Sequence, residues 1–105
     1  MDNLTQFGNA DLFLSKYDSN GINQWTRQIG SSGFEICWDL KLDSLGNSYV
    51  AGRTDGIIEG KNYGSADALL LKYDSNGNKI WSKQFGTSSQ DHAISLSIDS
   101  SNNVY

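Results

Sequence analysis

The chain has 105 residues, about the length of one small domain; 37% are hydrophobic, Gly, Ser, Asn and Asp are abundant, and Pro is absent. The net charge of −4 with scattered basic residues disfavours nucleic-acid binding, which needs clustered Lys and Arg. The longest apolar run, 68–71, is far too short for a bilayer, so we predict no membrane span. This composition is typical of short strands joined by tight turns.

Short apolar or alternating stretches separated by turn residues predict strands along the whole chain, and no stretch has convincing helical periodicity. We predict strands at 11–17, 23–29, 36–43, 47–54, 67–73, 79–85, 92–98 and 103–105. The third is expected to place four apolar side chains on one face: Ile36, Trp38, Leu40 and Leu42. Cys37, between apolar neighbours, is expected to be a buried small hydrophobe. Gly52 weakens the fourth strand.

The predicted turns share one chemistry. Each opens with an Asp-Ser pair and has Gly or Asn three residues after the Asp. The four Asp residues are Asp18, Asp43, Asp74 and Asp99. Asp can accept hydrogen bonds from the backbone ahead of it, and Gly or Asn tolerates a left-handed backbone, so each turn reads as a reversal between two strands. The nearest approach to a calcium loop, at 74–78, lacks enough alternating ligands and an acidic closing residue, so we predict no metal site.

The sequence repeats itself at an offset of 56 residues. Residues 6–49 align without a gap to 62–105, with 19 identities among 44 pairs. "ADLFLSKYDSNG" lies over "ADALLLKYDSNG", and "WTRQIGSS" lies over "WSKQFGTS". The chain therefore contains two copies of one structural unit.

Each unit has four short strands, which we label A to D in unit order. Four antiparallel strands joined by hairpins form a meander, and tandem meanders predict an all-β fold of β-propeller blades. We predict a single propeller segment over 1–105. It divides into strands C and D of a shared blade (8–30), one complete blade (31–86), and strands A and B of another shared blade (87–105).

The stretch "DALLLKYDSNGNKIWSKQFGTSSQDHAISLSIDSSNNVY" resembles the bacterial SBBP repeat, a blade unit of β-propellers, and the resemblance covers roughly 8–54 and 64–105. Its pattern is an aspartate, an apolar strand, K-Y-D-x-N-G, a Trp and Q-x-G. A D-S-x-G-N-x-Y-V-A-G segment follows. The resemblance implies a propeller fold, a secreted or cell-surface setting, and no catalytic residue. The opening "MDNLTQFG" has neither a basic start nor an apolar stretch, so we do not expect it to act as a signal peptide.

Two blades cannot close a ring, and alone they would expose apolar sheet faces and unpaired edges. We therefore expect the chain to bind copies of itself head to tail, A–B of one completing C–D of the next. A homotrimer would give six blades and a homotetramer eight, within the usual range of about four to eight. The expected interface residues are Leu12, Leu14, Tyr17, Trp25, Ile94, Leu96, Ile98 and Tyr105. A fragment of a longer propeller would show the same pattern.

Ligands of propellers commonly bind at the loops joining D to A and B to C, here 30–35, 53–67 and 86–92. Candidate ligand-binding residues in them are Asp55, Glu59, Tyr63, Asp91 and His92, and an ordinary solvated loop is the competing interpretation. Carbohydrate or peptide are the ligands these side chains suit, and a lectin is the alternative function. An enzyme would need converging ionisable groups that the inner strands do not supply. We predict a non-enzymatic binding or scaffold module without a cofactor.

Overall fold

The computed structural model describes residues 11–31, 33–58, 66–86 and 95–105. These residues form six strands in two antiparallel sheets and no helix, so none of them belongs to a helix that could cross a membrane. The strands are β1 Leu12–Tyr17, β2 Asn23–Ile29, β3 Glu35–Leu42, β4 Ser48–Thr54, β5 Asp67–Tyr73 and β6 Lys79–Phe85. The all-β prediction is confirmed.

The larger sheet is a four-stranded meander in which consecutive strands are neighbours, in the order β3-β4-β5-β6. The smaller sheet pairs β1 with β2. The two sheets follow the sequence repeat, because the β1–β2 hairpin repeats as β5–β6, with a register shift just before the final Tyr of the first strand in both. The predicted meander is thus present, with strand bounds within one residue of those expected.

The Asp residues at the turns bind the backbone that follows them, which explains why the same letters recur. In the turn after β3, Asp43 Oδ1 accepts hydrogen bonds from the N–H groups of Leu45 and Asn47, and Oδ2 accepts from the Asn47 side chain. The turns at Asp74 and Asp99 repeat these bonds. The residue three positions after each Asp has a positive φ: Gly21, Gly46, Gly77 and Asn102.

Three layers are stacked face to face. One face of the large sheet packs on the β1–β2 sheet through a cluster of buried side chains: Leu12, Leu14, Ile29, Val50, Leu69, Leu71 and Tyr73. The opposite face packs on residues 95–105 through a second cluster of Tyr49, Ala51 and Leu96. Because β4 and β5 are covered on both faces, they are almost continuously buried, as expected for strands between two neighbouring layers.

Strand β3 differs from the sequence prediction. Its register shifts between Cys37 and Asp39, where an extra residue forms a bulge against β4. Ile36 pairs with Arg53 and Leu40 with Val50, so Ile36 and Leu40 lie on opposite faces of the sheet, and the single apolar face expected on this strand is wrong. Cys37 is exposed at the edge of the sheet, so the prediction that it is buried is also wrong.

Residues 95–105 form a hairpin with one bridge, Ile98 to Val104, where two strands were expected. Backbone hydrogen bonds join Ser97 and Tyr105 in both directions, at 2.9 and 3.1 Å. The Leu96 N–H donates to Asp39 Oδ2 at 2.9 Å and lowers the pKa of that carboxyl. This bond ties the hairpin to the large sheet.

Candidate functional site

An open groove of about 350 Å³ lies between the edge of β1 and the exposed face of β3. Among the described residues, nothing pairs with the β1 edge that points away from β2. The groove is lined by Leu14, Ser15, Lys16, Tyr17, Trp25, Leu40, Leu42, Gly46 and Ser48. It therefore combines unpaired backbone groups with an apolar floor, the combination that receives an added strand.

The lining of the groove reproduces the surroundings of one buried tyrosine. Tyr49 lies in the second cluster with its ring edge on Trp81, at 6.2 Å between centroids, and with Lys72 Nζ 5.1 Å from its ring centroid. The side chains that accompany it there are Leu70, Leu96 and Ile98. Shifting these five neighbours by 56 residues gives five residues that line the groove: Leu14, Lys16, Trp25, Leu40 and Leu42. The groove thus has the side chains that surround a buried tyrosine in the other unit, but none of the described residues lies between them in the place of that tyrosine.

The residue that the repeat places in this role is Tyr105, the counterpart of Tyr49. Tyr49 is 1% exposed, whereas Tyr105 is 73% exposed. In both, the hydroxyl donates to the Asp of the preceding turn, at 3.0 Å to Asp43 and 2.9 Å to Asp99. Tyr105 therefore makes the same hydrogen bond to its turn as its buried counterpart, but its ring is exposed to solvent.

Other exposed apolar side chains also have a buried counterpart in the repeat. Leu40 is 47% exposed, but its counterpart Leu96 is 7% exposed. Phe13 on β1 is 48% exposed, and its counterpart Leu69 is fully buried. The exposed side chains thus occupy positions that a neighbouring unit covers elsewhere in the chain.

The predicted interface residues differ in how far the chain itself covers them. Leu12, Leu14 and Leu96 are buried within the chain, where the stacked layers cover them. Trp25 and Ile98 are half-buried, also against neighbouring layers of the same chain. Tyr17 and Tyr105 expose most of their side chains, and Ile94 lies outside the described residues.

A buried polar network that the sequence did not predict holds the loops at one end of the large sheet. The carboxylate of Glu35, 4% exposed, accepts hydrogen bonds from the Ser31 N–H at 2.8 Å and from the hydroxyls of Ser31 and Thr54, both at 2.6 Å. Gln84 donates to the Gly56 carbonyl and to Asp67 Oδ2. The same Gln–Asp bond occurs in the other unit, where Gln28 donates to Asp11. The repetition of this Gln and this Asp in both units was the sequence signal that could have revealed the bond.

Of the predicted ligand-binding residues, the structure describes only Asp55, which pairs with Arg53 at 2.9 Å. Glu59, Tyr63, Asp91 and His92 lie outside the described residues. Within the described ranges, no three His, Cys, Asp or Glu side chains converge as metal ligands.

The turn carboxylates predict an acid-sensitive fold. Burial tends to raise the pKa of Asp43, but hydrogen bonds from Asn47, Tyr49 and Leu45 outweigh it and lower the pKa to about 2. Hydrogen bonds from Asn103 and Tyr105 also lower that of Asp99 to about 2. Because an unfolded Asp has a pKa of about 3.9, these bonds contribute stability above pH 4, and we expect the melting temperature to fall steadily from pH 4 to pH 2.

Thermal unfolding followed by circular dichroism between pH 2 and pH 6 measures this effect. Replacing both carboxyls, Asp43→Asn with Asp99→Asn, should lower the melting temperature at pH 6 and flatten its dependence below pH 4. An equally steep dependence in the double variant would show that other groups cause the acid sensitivity.

A four-stranded antiparallel meander with layers stacked on both faces is the building unit of a β-propeller. Comparison with known families agrees with this class. Residues 24–59, from β2 to just beyond β4, match the family described as SBBP, β-propeller repeat. The resemblance to the SBBP repeat expected from the sequence is thus confirmed over these residues.

A relative among characterised proteins is similar over most of the chain. Regulatory protein FlaEY of Caulobacter vibrioides is 28% identical over 100 residues, an alignment that covers 88% of this chain and 10% of that protein. This chain therefore spans about a tenth of the relative's length.

Proposed function

We propose that the chain is a non-enzymatic β-propeller module, a binding or scaffold surface, that completes its ring with further copies of itself. The hairpin 95–105 of one copy occupies the groove of the next and adds to the free edge of β1. Three copies would close a ring of six blades and four copies a ring of eight, both within the usual range of about four to eight.

The match between the groove and the surroundings of Tyr49 carries this proposal. Within the large sheet, β4 pairs with β5 so that Ser48 faces Tyr73 and Tyr49 faces Lys72. The same register, shifted by 56 residues, pairs Val104 with Tyr17 and Tyr105 with Lys16. Tyr105 then fits between Leu40 and Leu42 of the next copy, as Tyr49 fits between Leu96 and Ile98 in its own chain.

The direction of assembly follows from the two different surfaces involved. The hairpin is on one side of the large sheet and the groove is on the other, because the two clusters lie on opposite faces. One copy therefore presents a hairpin to the next and receives one from the previous copy, a head-to-tail arrangement that gives a closed ring when the rotation per copy fits.

The non-enzymatic part of the proposal rests on how the buried carboxylates are used. Glu35 and Asp67 accept hydrogen bonds that hold the loops in place, and the turn carboxylates accept bonds that form the turns. In a lectin, an indole such as that of Trp81 could stack on a sugar, but Trp81 lies edge-on against Tyr49 within the chain.

The mass of the native protein in solution tests this function. We expect light scattering after size-exclusion chromatography to give three or four times the 11.6 kDa of one chain at micromolar concentration. Tyr105→Ser should give a monomer, because loss of a buried aromatic anchor costs on the order of 2 kcal/mol or more at every interface.

Tyr105→Phe is the matched control, since it keeps the ring that fills the groove and removes only the hydroxyl. It should assemble like the wild type. A wild-type protein that stays a folded monomer at tens of micromolar contradicts the proposal. So does assembly that is unchanged by Tyr105→Ser.

A further inference from the structure

The turn between β5 and β6 is held by side chains of the neighbouring sheet. The Trp25 indole N–H donates to the carbonyl of Ser75 at 3.1 Å, and Arg27 Nε donates to that of Gly77 at 2.6 Å. Lys16 Nζ also donates to the Ser75 carbonyl, at 3.2 Å. The Arg27 guanidinium lies 5.4 Å from the centroid of the Trp25 ring. The turn is therefore held through its backbone carbonyls. We call these contacts of Lys16, Trp25 and Arg27 with the turn the turn grip.

Glycine is required inside this grip for a steric as well as a conformational reason. Gly77 has a φ of +83°, and a Cβ there would lie 2.7 Å from Trp25 Cδ2 and 2.9 Å from Arg27 Nη2. Gly21 is its counterpart in the first turn and has nearly the same φ, +79°, yet a Cβ there would meet nothing within 4 Å. The first turn has the shape of a gripped turn without the side chains that grip it.

The side chains that would grip such a turn are also present. Trp81 and Lys83 on β6 are the counterparts of Trp25 and Arg27. No hydrogen bond joins the Trp81 indole or the Lys83 ammonium to the part of the chain that the structure describes.

The turn at 18–22 and the side chains of Trp81 and Lys83 cannot meet within one molecule. Trp81 packs in the second cluster, on the face of the large sheet that points away from β1 and β2. The turn at 18–22 belongs to the β1–β2 sheet, which lies against the first face.

We propose that the turn 18–22 of one copy is gripped by Trp81 and Lys83 of the preceding copy. This contact rests on the ring proposed above and is a second, separate interface between the same two copies. The first interface adds a hairpin to the edge of β1, and the second fastens the β1–β2 turn to the large sheet of the copy that supplied the hairpin. The grip binds backbone carbonyl groups, which every turn has, so the sequence of the turn matters only through its backbone shape and the glycine that leaves room for the indole.

Gly21→Asn tests the contact without disturbing the turn. Asn already occupies the equivalent position in the fourth turn, where Asn102 has a φ of +64°, so the backbone conformation is retained. In a single chain the new side chain meets open space, but in the proposed contact it overlaps the indole. We expect the dissociation constant of the assembly, from sedimentation across a dilution series, to rise at least tenfold.

Leu45→Asn is the control. Leu45 is 73% exposed in the turn after β3, does not line the groove, and has the polar Ser101 as its counterpart in the other unit. This variant should assemble as the wild type does.

A second pair of variants addresses the gripping side. Lys83→Ala should weaken assembly several-fold, and Lys83→Arg should preserve or strengthen it, because the turn grip within the chain uses an arginine. If the wild type assembles and Gly21→Asn and Lys83→Ala assemble equally well, the grip is wrong and the ring stands. If the wild type is a monomer throughout, the ring proposal fails and the grip fails with it.

Discussion

Replacing Leu40 and Leu42 together with aspartate is expected to give a folded chain that no longer assembles. The two leucines form the floor of the groove and are 47% and 66% exposed in the single chain, so charged replacements remain in water there. Under a docked hairpin, the same carboxylates would be buried without partners, at a cost of several kcal/mol for each interface. Light scattering after size-exclusion chromatography should give the mass of one chain, with the circular dichroism of the wild type.

Leu45→Asp is the control for the added charge. Leu45 is 73% exposed in the turn after β3, and its counterpart in the other unit is the polar Ser101. Because that counterpart sits in a hairpin that is stacked on the large sheet, a polar residue is compatible with stacking at this position. Assembly of the double Asp variant at wild-type strength would show that another surface joins the copies.

Mixing two defective chains extends the same test to the direction of assembly. The Tyr105→Ser chain keeps its groove, and the double Asp chain keeps its hairpin. A head-to-tail contact joins one intact groove to one intact hairpin, so the mixture should contain a one-to-one dimer although each chain alone is a monomer. A mixture that contains only monomers would contradict the head-to-tail arrangement.

The sequence predicted the strands and turns closely because their causes are local. An Asp that binds the N–H groups two and four residues ahead needs no distant partner, so each turn can be read from a few letters. The repeat then fixed which strands belong to one unit, and β2, β5 and β6 have the predicted bounds.

The prediction failed where the structure depends on pairing between strands. Alternation along β3 assumes one residue of β3 for each residue of β4, and the bulge at Trp38 breaks that count, which moves Ile36 and Leu40 to opposite faces. The bonds of Glu35 and Gln84 join residues of different loops, which no local pattern reveals. The groove depends on the different surroundings of two identical residues, the buried Tyr49 and the exposed Tyr105, which the sequence does not distinguish.

Gly52 is the one residue in β4 that carried a signal for the bulge, since glycine inside a strand marks a bulge or a close backbone approach. It pairs with Cys37, immediately before the register shift. A Cβ at Gly52 would overlap the carbonyl oxygen of Ile36 and lie 3.2 Å from the Cα of Cys37. Because these are backbone atoms of the neighbouring strand, a side-chain rotation cannot relieve the overlap.

Gly52→Ala is therefore expected to destabilise the fold strongly, by about 3 kcal/mol, although it adds one methyl group. The edge strand β3 must move away from β4, which also displaces Leu40 and Leu42 from the floor of the groove. Urea unfolding at one fixed protein concentration measures the free energy of unfolding, and the same samples should show weakened assembly. Gly46→Ala provides the comparison: its Cβ has ordinary contacts, and its positive φ of +82° costs about 1 kcal/mol. Gly52 itself has no positive φ, so if Gly52→Ala costs no more than Gly46→Ala, the close approach of β3 to Gly52 has no energetic role.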